Sequence, residues 1–172
     1  MMMTGLSTTQ FLVLGTTPPP DTIHHGTPQD GTMAYAVRID DATGIWVKDK
    51  QDADNSLKLW TGNTIRDQFY AAGLTWNATH TVMIQITRCS YQNGGDMPDA
   101  NSHENGLDFD IRYVRTDGTV APLDLGEDPE DYDEATTQEL IDWLEAYLDV
   151  VVIYCESASG LAGGSYTEYK WP

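Results

Sequence analysis

Between positions 107 and 114 apolar and polar residues alternate, Leu107-Asp108-Phe109-Asp110-Ile111-Arg112-Tyr113-Val114. A period of two buries one set of side chains only if the segment is an extended strand. Leu107, Phe109, Ile111 and Tyr113 then share one face, and Asp108, Asp110 and Arg112 share the other. Gly106 just before the strand permits a sharp turn that folds His103 back toward the Asp110 carboxylate. A neutral imidazole nitrogen and a carboxylate oxygen, each about 2 Å from the ion, are good zinc ligands, and a catalytic zinc takes three protein ligands plus water. His103 and Asp110 are therefore the candidate metal ligands. Spacing alone makes them a weak pair, because a surface histidine beside an exposed strand aspartate is the commoner arrangement.

A second strand with β-branched residues and alternation is expected over 81–89, running into the Gly-rich turn 90–98. Asp117-Gly118 predicts a hairpin between the strand 107–115 and a short return over 119–123. Upstream, 32–40 and 44–48 alternate around Asp40-Asp41-Ala42-Thr43-Gly44, a second hairpin signal. After a polar loop over 49–56, residues 57–60 read as a short strand and 64–72 as a short helix ended by Gly73. Beyond an acidic loop over 124–133, Thr136 and Glu139 have the spacing of a capping box. Leu140, Ile141, Leu144, Tyr147 and Leu148 follow at helical spacing, which predicts the main helix over 136–149. The apolar run 150–155 has strand length and reads as buried in a sheet.

Residues 1–31, rich in Thr, Pro and Gly, show no period and read as an extended arm that needs a partner surface. The tail 156–172 is Gly- and Ser-rich and ends on Tyr166, Tyr169 and Trp171. The expected fold class is α+β: a small antiparallel sheet with one helix packed on it, forming a single domain over 32–172 behind the arm. A chain of 172 residues is long enough to bury such a core.

Composition narrows the partners. With 27 acidic against 9 basic residues the net charge is −18, which would repel nucleic acid and anionic membranes. The balance fits either an ordinary soluble acidic protein or adaptation to high salt, as in a halophilic host. Cys89 and Cys155 are too few for a disulfide framework; they read as buried free thiols, with one bridge between neighbouring strands as the alternative. No apolar run approaches the roughly 20 residues of a membrane span. The apolar stretch 11–14 has no basic flank and is soon followed by Pro18-Pro19-Pro20, so it is a poor secretory signal. The expected location is the cytoplasm, as a soluble product made without a signal peptide.

Asn93-Gly94-Gly95-Asp96-Met97-Pro98, followed by Ser102-His103-Glu104-Asn105-Gly106-Leu107-Asp108-Phe109-Asp110-Ile111-Arg112, strongly resembles the penicillin-insensitive murein endopeptidases. These are zinc peptidases whose fold is shared with D-Ala-D-Ala carboxypeptidases, lysostaphin-type enzymes and the hedgehog signalling domain. The resemblance covers roughly residues 80–161. It implies that His103 and Asp110 are zinc ligands, that Ser102 helps set the loop, and that Asp108 sits beside the site. Zinc in that family polarises the scissile amide and activates the water that attacks a cell-wall peptide.

The departures lie at specific positions. The family's third ligand belongs to a His-x-His motif near the C-terminus, and no histidine follows His103. A further family histidine is Ala100 here, and the acid expected before the Gly-Gly loop is Arg88. His24 and His25 reach the site only by an unusual path, and His80 reads as a structural histidine at a strand start. No catalytic acid/base residue is assignable. Two functions follow. One is a zinc-dependent murein peptidase, such as a viral lysin, whose partner is a cell-wall peptide. The other is an inactive peptidase-like structural or binding protein of a virus particle from a halophilic archaeal host, with protein partners or self-assembly through the arm and the aromatic tail.

Overall fold

The computed structural model describes residues 21–27, 29–48, 58–98, 102–148, 152–156 and 166–170. In chain order the elements are β1 (Ile23–Thr27), β2 (Asp30–Ala34), β3 (Val37–Arg38), β4 (Ile45–Val47), β5 (Trp60–Thr61), α1 (Asn63–Trp76), β6 (Ile84–Arg88), β7 (Asp110–Ile111), α2 (Glu134–Tyr147), β8 (Val152–Glu156) and β9 (Tyr166–Lys170), with a 3-10 turn at Pro129–Asp131 before α2. The class is α+β, and both helices pack into the core: the main one expected over 136–149 and the one expected as a short helix over 64–72, which is longer than expected.

The core lies between a three-stranded sheet, ordered β4-β6-β7, and the helices. Ile84 and Ile86 of β6, Ile45 and Val47 of β4, Phe69, Ala72 and Trp76 of α1, and Leu140 and Leu144 of α2 are its buried centre. The helices meet through aromatic rings. Trp76 and Trp143 sit edge to face at 5.7 Å, and the Trp143 indole N–H donates to the Ala72 carbonyl at 3.3 Å. His80 stacks on Trp76 at 3.5 Å and pairs with Glu139 at 3.1 Å, so it ties the end of α1 to α2.

Several elements differ from expectation, each for a physical reason. β4 does not pair with the strand before it but lies parallel to β6, in register Ile45↔Ile84 and Val47↔Ile86. Its turn closes locally between Ala42 and Ile45, while β3 pairs with β5. The sheet is therefore mixed, not purely antiparallel. Burial of β4 beneath α1 outweighs the local hairpin signal.

Gly73 does not end α1, which continues to Trp76. A Cβ there would lie 2.6 Å from Ile45 Cγ1 and 3.0 Å from the Thr43 carbonyl oxygen, so the glycine admits β4 against the helix rather than stopping it. α2 is capped by Asp133, whose carboxylate accepts from the Thr136 N–H at 2.9 Å, while Glu139 turns to His80. The Asp117-Gly118 turn forms, with the Gly118 N–H on the Arg115 carbonyl at 3.0 Å. No return strand follows over 119–123, however; Arg115 bridges to Tyr132 instead.

Residues 23–27 and 30–31, expected as part of an arm, belong instead to the paired strands β1 and β2, and β2 crosses position 31. Gly31 is buried there, with no room for a Cβ beside the Asn105 side chain. Residues 1–20 of the expected arm, the expected loop 49–56 and Trp171 lie outside the described residues. β8 and β9 pair antiparallel from Val152↔Lys170 to Glu156↔Tyr166. The side chains of that hairpin, Cys155 included, also lie outside the described residues. Cys89 is a buried free thiol, pushed far up in pKa by burial. No described helix is long and apolar enough to cross a membrane.

Candidate metal centre

Asp110 is positioned by strand pairing. β7 joins the edge of β6 with Ile86↔Ile111 and, after a register shift, Arg88↔Asp110. Phe109 and Ile111 pack against the core as alternation predicts, but Leu107 is exposed and Val114, rather than Tyr113, is buried, because regular pairing lasts only two residues. Directly opposed residues on paired strands are within side-chain reach. Arg88 accordingly places its Nε 3.5 Å from one Asp110 carboxylate oxygen.

His103 reaches the other oxygen. Its backbone is left-handed, with φ of 77°, a conformation uncommon outside glycine that turns the ring back over β7. Nε2 lies 3.2 Å from Asp110 Oδ1, and Nδ1 lies 3.2 Å from the Asp108 carbonyl oxygen. Both partners are acceptors, so the geometry suits an imidazolium that donates from each nitrogen. Burial of the ring, which is only 7% exposed, opposes the charge, but the hydrogen bond and attraction of Asp110 outweigh it and hold the His103 pKa above its ordinary value. For Asp110, partial burial favours the neutral acid, yet His103 and Arg88 together hold its pKa below the usual carboxylate range.

The loop carrying His103 is fastened from three sides. Glu104 accepts from the Gly31 N–H at 3.1 Å, and the fully buried Asn105 reaches the Gly26 carbonyl at 3.4 Å. The His24 Nδ1 contacts the Asn105 carbonyl at 2.6 Å. Thr61 Oγ1 donates to the Gly106 carbonyl at 2.7 Å. The hairpin β1–β2 and strand β5 thus hold the loop. Spacing gave no sign of Asn105, Thr61 or His24 in this role, since their contacts join segments far apart in the chain.

Of the proposed site residues, the fold brings together His103, Asp110 and the backbone of Asp108. Ser102 is half-buried, and its hydroxyl makes no hydrogen bond with a described residue. His25 is exposed, and His80 is committed to Trp76 and Glu139. Two ligand atoms each about 2 Å from a tetrahedral zinc lie about 3.3 Å apart, so the 3.2 Å between Nε2 and Oδ1 suits a shared metal as well as a hydrogen bond. The second carboxylate oxygen, however, faces a guanidinium. Among the described residues no three His, Cys, Asp or Glu side chains converge on one point. One imidazole and one carboxylate, beside Arg88, are the groups that the described residues bring together there.

No protein-family model matches the chain, and no curated protein matches it.

Proposed function

We propose that this chain is an inactive relative of the murein endopeptidases, in which a metal-centre scaffold has become a structural or binding module. The observation that carries the reading is the pairing of Asp110 with two cationic partners, Arg88 at 3.5 Å and His103 at 3.2 Å. Arg88 stands where the resemblance expects an acid, and its fixed charge opposes a divalent cation at the same carboxylate. The ion cluster then has a structural role, pinning the His103 loop to the edge of β6. The net charge of −18 supports a high-salt setting, and a virus particle of a halophilic archaeal host, whose envelope holds no murein, is the setting proposed.

The competing reading, an active murein peptidase, is favoured by the separation of the two donor atoms. Zinc loading followed by dialysis and mass spectrometric metal analysis, run beside a murein-release assay, decides between them. The expected result is substoichiometric zinc and no release. One zinc per chain, lost in His103→Ala, with release abolished by a chelator, would overturn the proposal.

A further inference from the structure

We infer that the cleft beside β5 is a binding site for a neutral saccharide. The cleft has a volume of about 380 Å³ and is lined by Trp60, Tyr91, Gln92, Asn93 and Gly94. That is toward the small end of ligand clefts, which run from about 300 to 1,000 Å³.

Two features set it apart from an ordinary surface depression. First, its backbone is held on every side. The Trp60 and Ser90 backbones exchange hydrogen bonds at 3.0 and 3.2 Å, the Gly94 N–H donates to the Tyr91 carbonyl at 3.0 Å, and the Met33 N–H donates to the Asn93 carbonyl at 2.9 Å. Gly94 is left-handed, with φ of 70°, and packs so closely on the Glu104 carbonyl and Thr32 that a side chain is excluded. A rim fixed by the fold loses little freedom when a ligand binds. Second, the polar groups of that rim are idle. The Trp60 indole N–H, the Tyr91 hydroxyl and the Gln92 and Asn93 amides make no hydrogen bond with any described residue.

The chemistry of the lining selects the ligand. Among the described residues no cation lines the cleft, and the chain as a whole is strongly acidic, which disfavours an anion. No carboxylate lines it among the described residues either, so none of them selects a cation over the acidic surface elsewhere. The lining consists of two aromatic rings with polar tips and two planar amides that both donate and accept. A neutral pyranoside complements this set, with apolar C–H faces for the rings and hydroxyls that donate and accept around its edge. These lining residues include neither His103 nor Asp110, so the proposal does not depend on whether a metal binds there.

The test is calorimetric titration of the full chain in high salt with chitotriose, cellotriose and mannotriose. Indole N–H shifts of an isotope-labelled sample are followed in parallel. At least one sugar is expected to bind saturably and to move the Trp60 indole resonance. Tyr91→Ala and the double variant Gln92→Ala/Asn93→Ala are each expected to weaken that binding about tenfold or more with an unchanged melting temperature. The double variant removes only side chains without internal partners, so it keeps the test valid if Tyr91→Ala destabilises the turn. Failure of all three sugars to bind, or unchanged affinity in the double variant, would refute the site.

Discussion

Replacing Asp110 by Asn keeps the shape of the side chain and removes its charge, which isolates the contribution of the ion cluster. A hydrogen bond to a charged group contributes about 1.5–3 kcal/mol when buried. Exposed ion pairs contribute about 0.2–1 kcal/mol. Here the His103 side chain is 7% exposed and that of Asp110 is 49% exposed, so the pair lies between these limits and Asp110→Asn should cost about 1–1.5 kcal/mol where both partners are ionised.

The pH dependence follows from the directions of the two shifts. His103 is raised above its ordinary 6.5, so its stabilisation is fully present below that value and is lost as pH rises through the folded pKa. Asp110 is lowered below its ordinary 3.8, so its stabilisation is present above that value and is lost as pH falls through the folded pKa. The pair therefore contributes most between about pH 4 and 6.5. In Asp110→Asn, burial opposes the charged ring with only the Asp108 contacts left to favour it, so the His103 pKa falls. Denaturant unfolding of both proteins at constant salt should show the full cost near about pH 5 and less than half of it near about pH 8. An NMR titration of the His103 ring should show its pKa falling in the variant. Equal destabilisation at both pH values, or a His103 pKa unchanged by loss of the Asp110 carboxylate, would refute this account of the cluster.

Gly73→Ala should gain about 1 kcal/mol of helix propensity but lose about 1–3 kcal/mol to the collision with the buried Ile45, a net loss in the native background. In an Ile45→Ala background, where only the Thr43 carbonyl contact remains, the same substitution should cost clearly less, which a double-mutant cycle by denaturant unfolding would detect; additivity would exclude the packing explanation. Gly106→Ala should cost about 2–4 kcal/mol, because φ there is 72° and the new methyl group would strike Met33; a melting temperature unchanged from the native protein would contradict the loop geometry. Asp133→Ala should cost about 1 kcal/mol through loss of the α2 cap, and Thr136→Ala clearly less; the reverse order in unfolding experiments would restore Thr136 as the cap.

Periodicity carried the regular elements. The apolar spacing of Leu140 and Leu144 appears as the buried face of α2, and the alternating run over 81–89 contains β6, because burial of one face is a property of the segment itself. The turn at Asp117-Gly118 was equally local. Partner choice was not. The alternation of 44–48 showed a strand but not its parallel alignment with β6, since a period of two sets faces and leaves the neighbour open. Gly73 was ambiguous for a related reason: a missing Cβ suits a helix end and a close helix–strand contact equally, and only the position of Ile45 distinguishes them.

The site divides the same way. The spacing of His103 and Asp110 around Gly106 was enough to bring imidazole and carboxylate together, because a turn followed by a strand is a local geometry. What surrounds that pair came from the register of β6 against β7, which sets Arg88 opposite Asp110 and adds a guanidinium to the imidazole and carboxylate. Sequence alone determined which chemical groups this chain carries and, where an element stays regular, which faces they occupy. Tertiary structure decided which groups face one another, because the energy of a charge or a missing methyl group depends on what lies within a few ångströms across the fold, and that neighbour belongs to another segment.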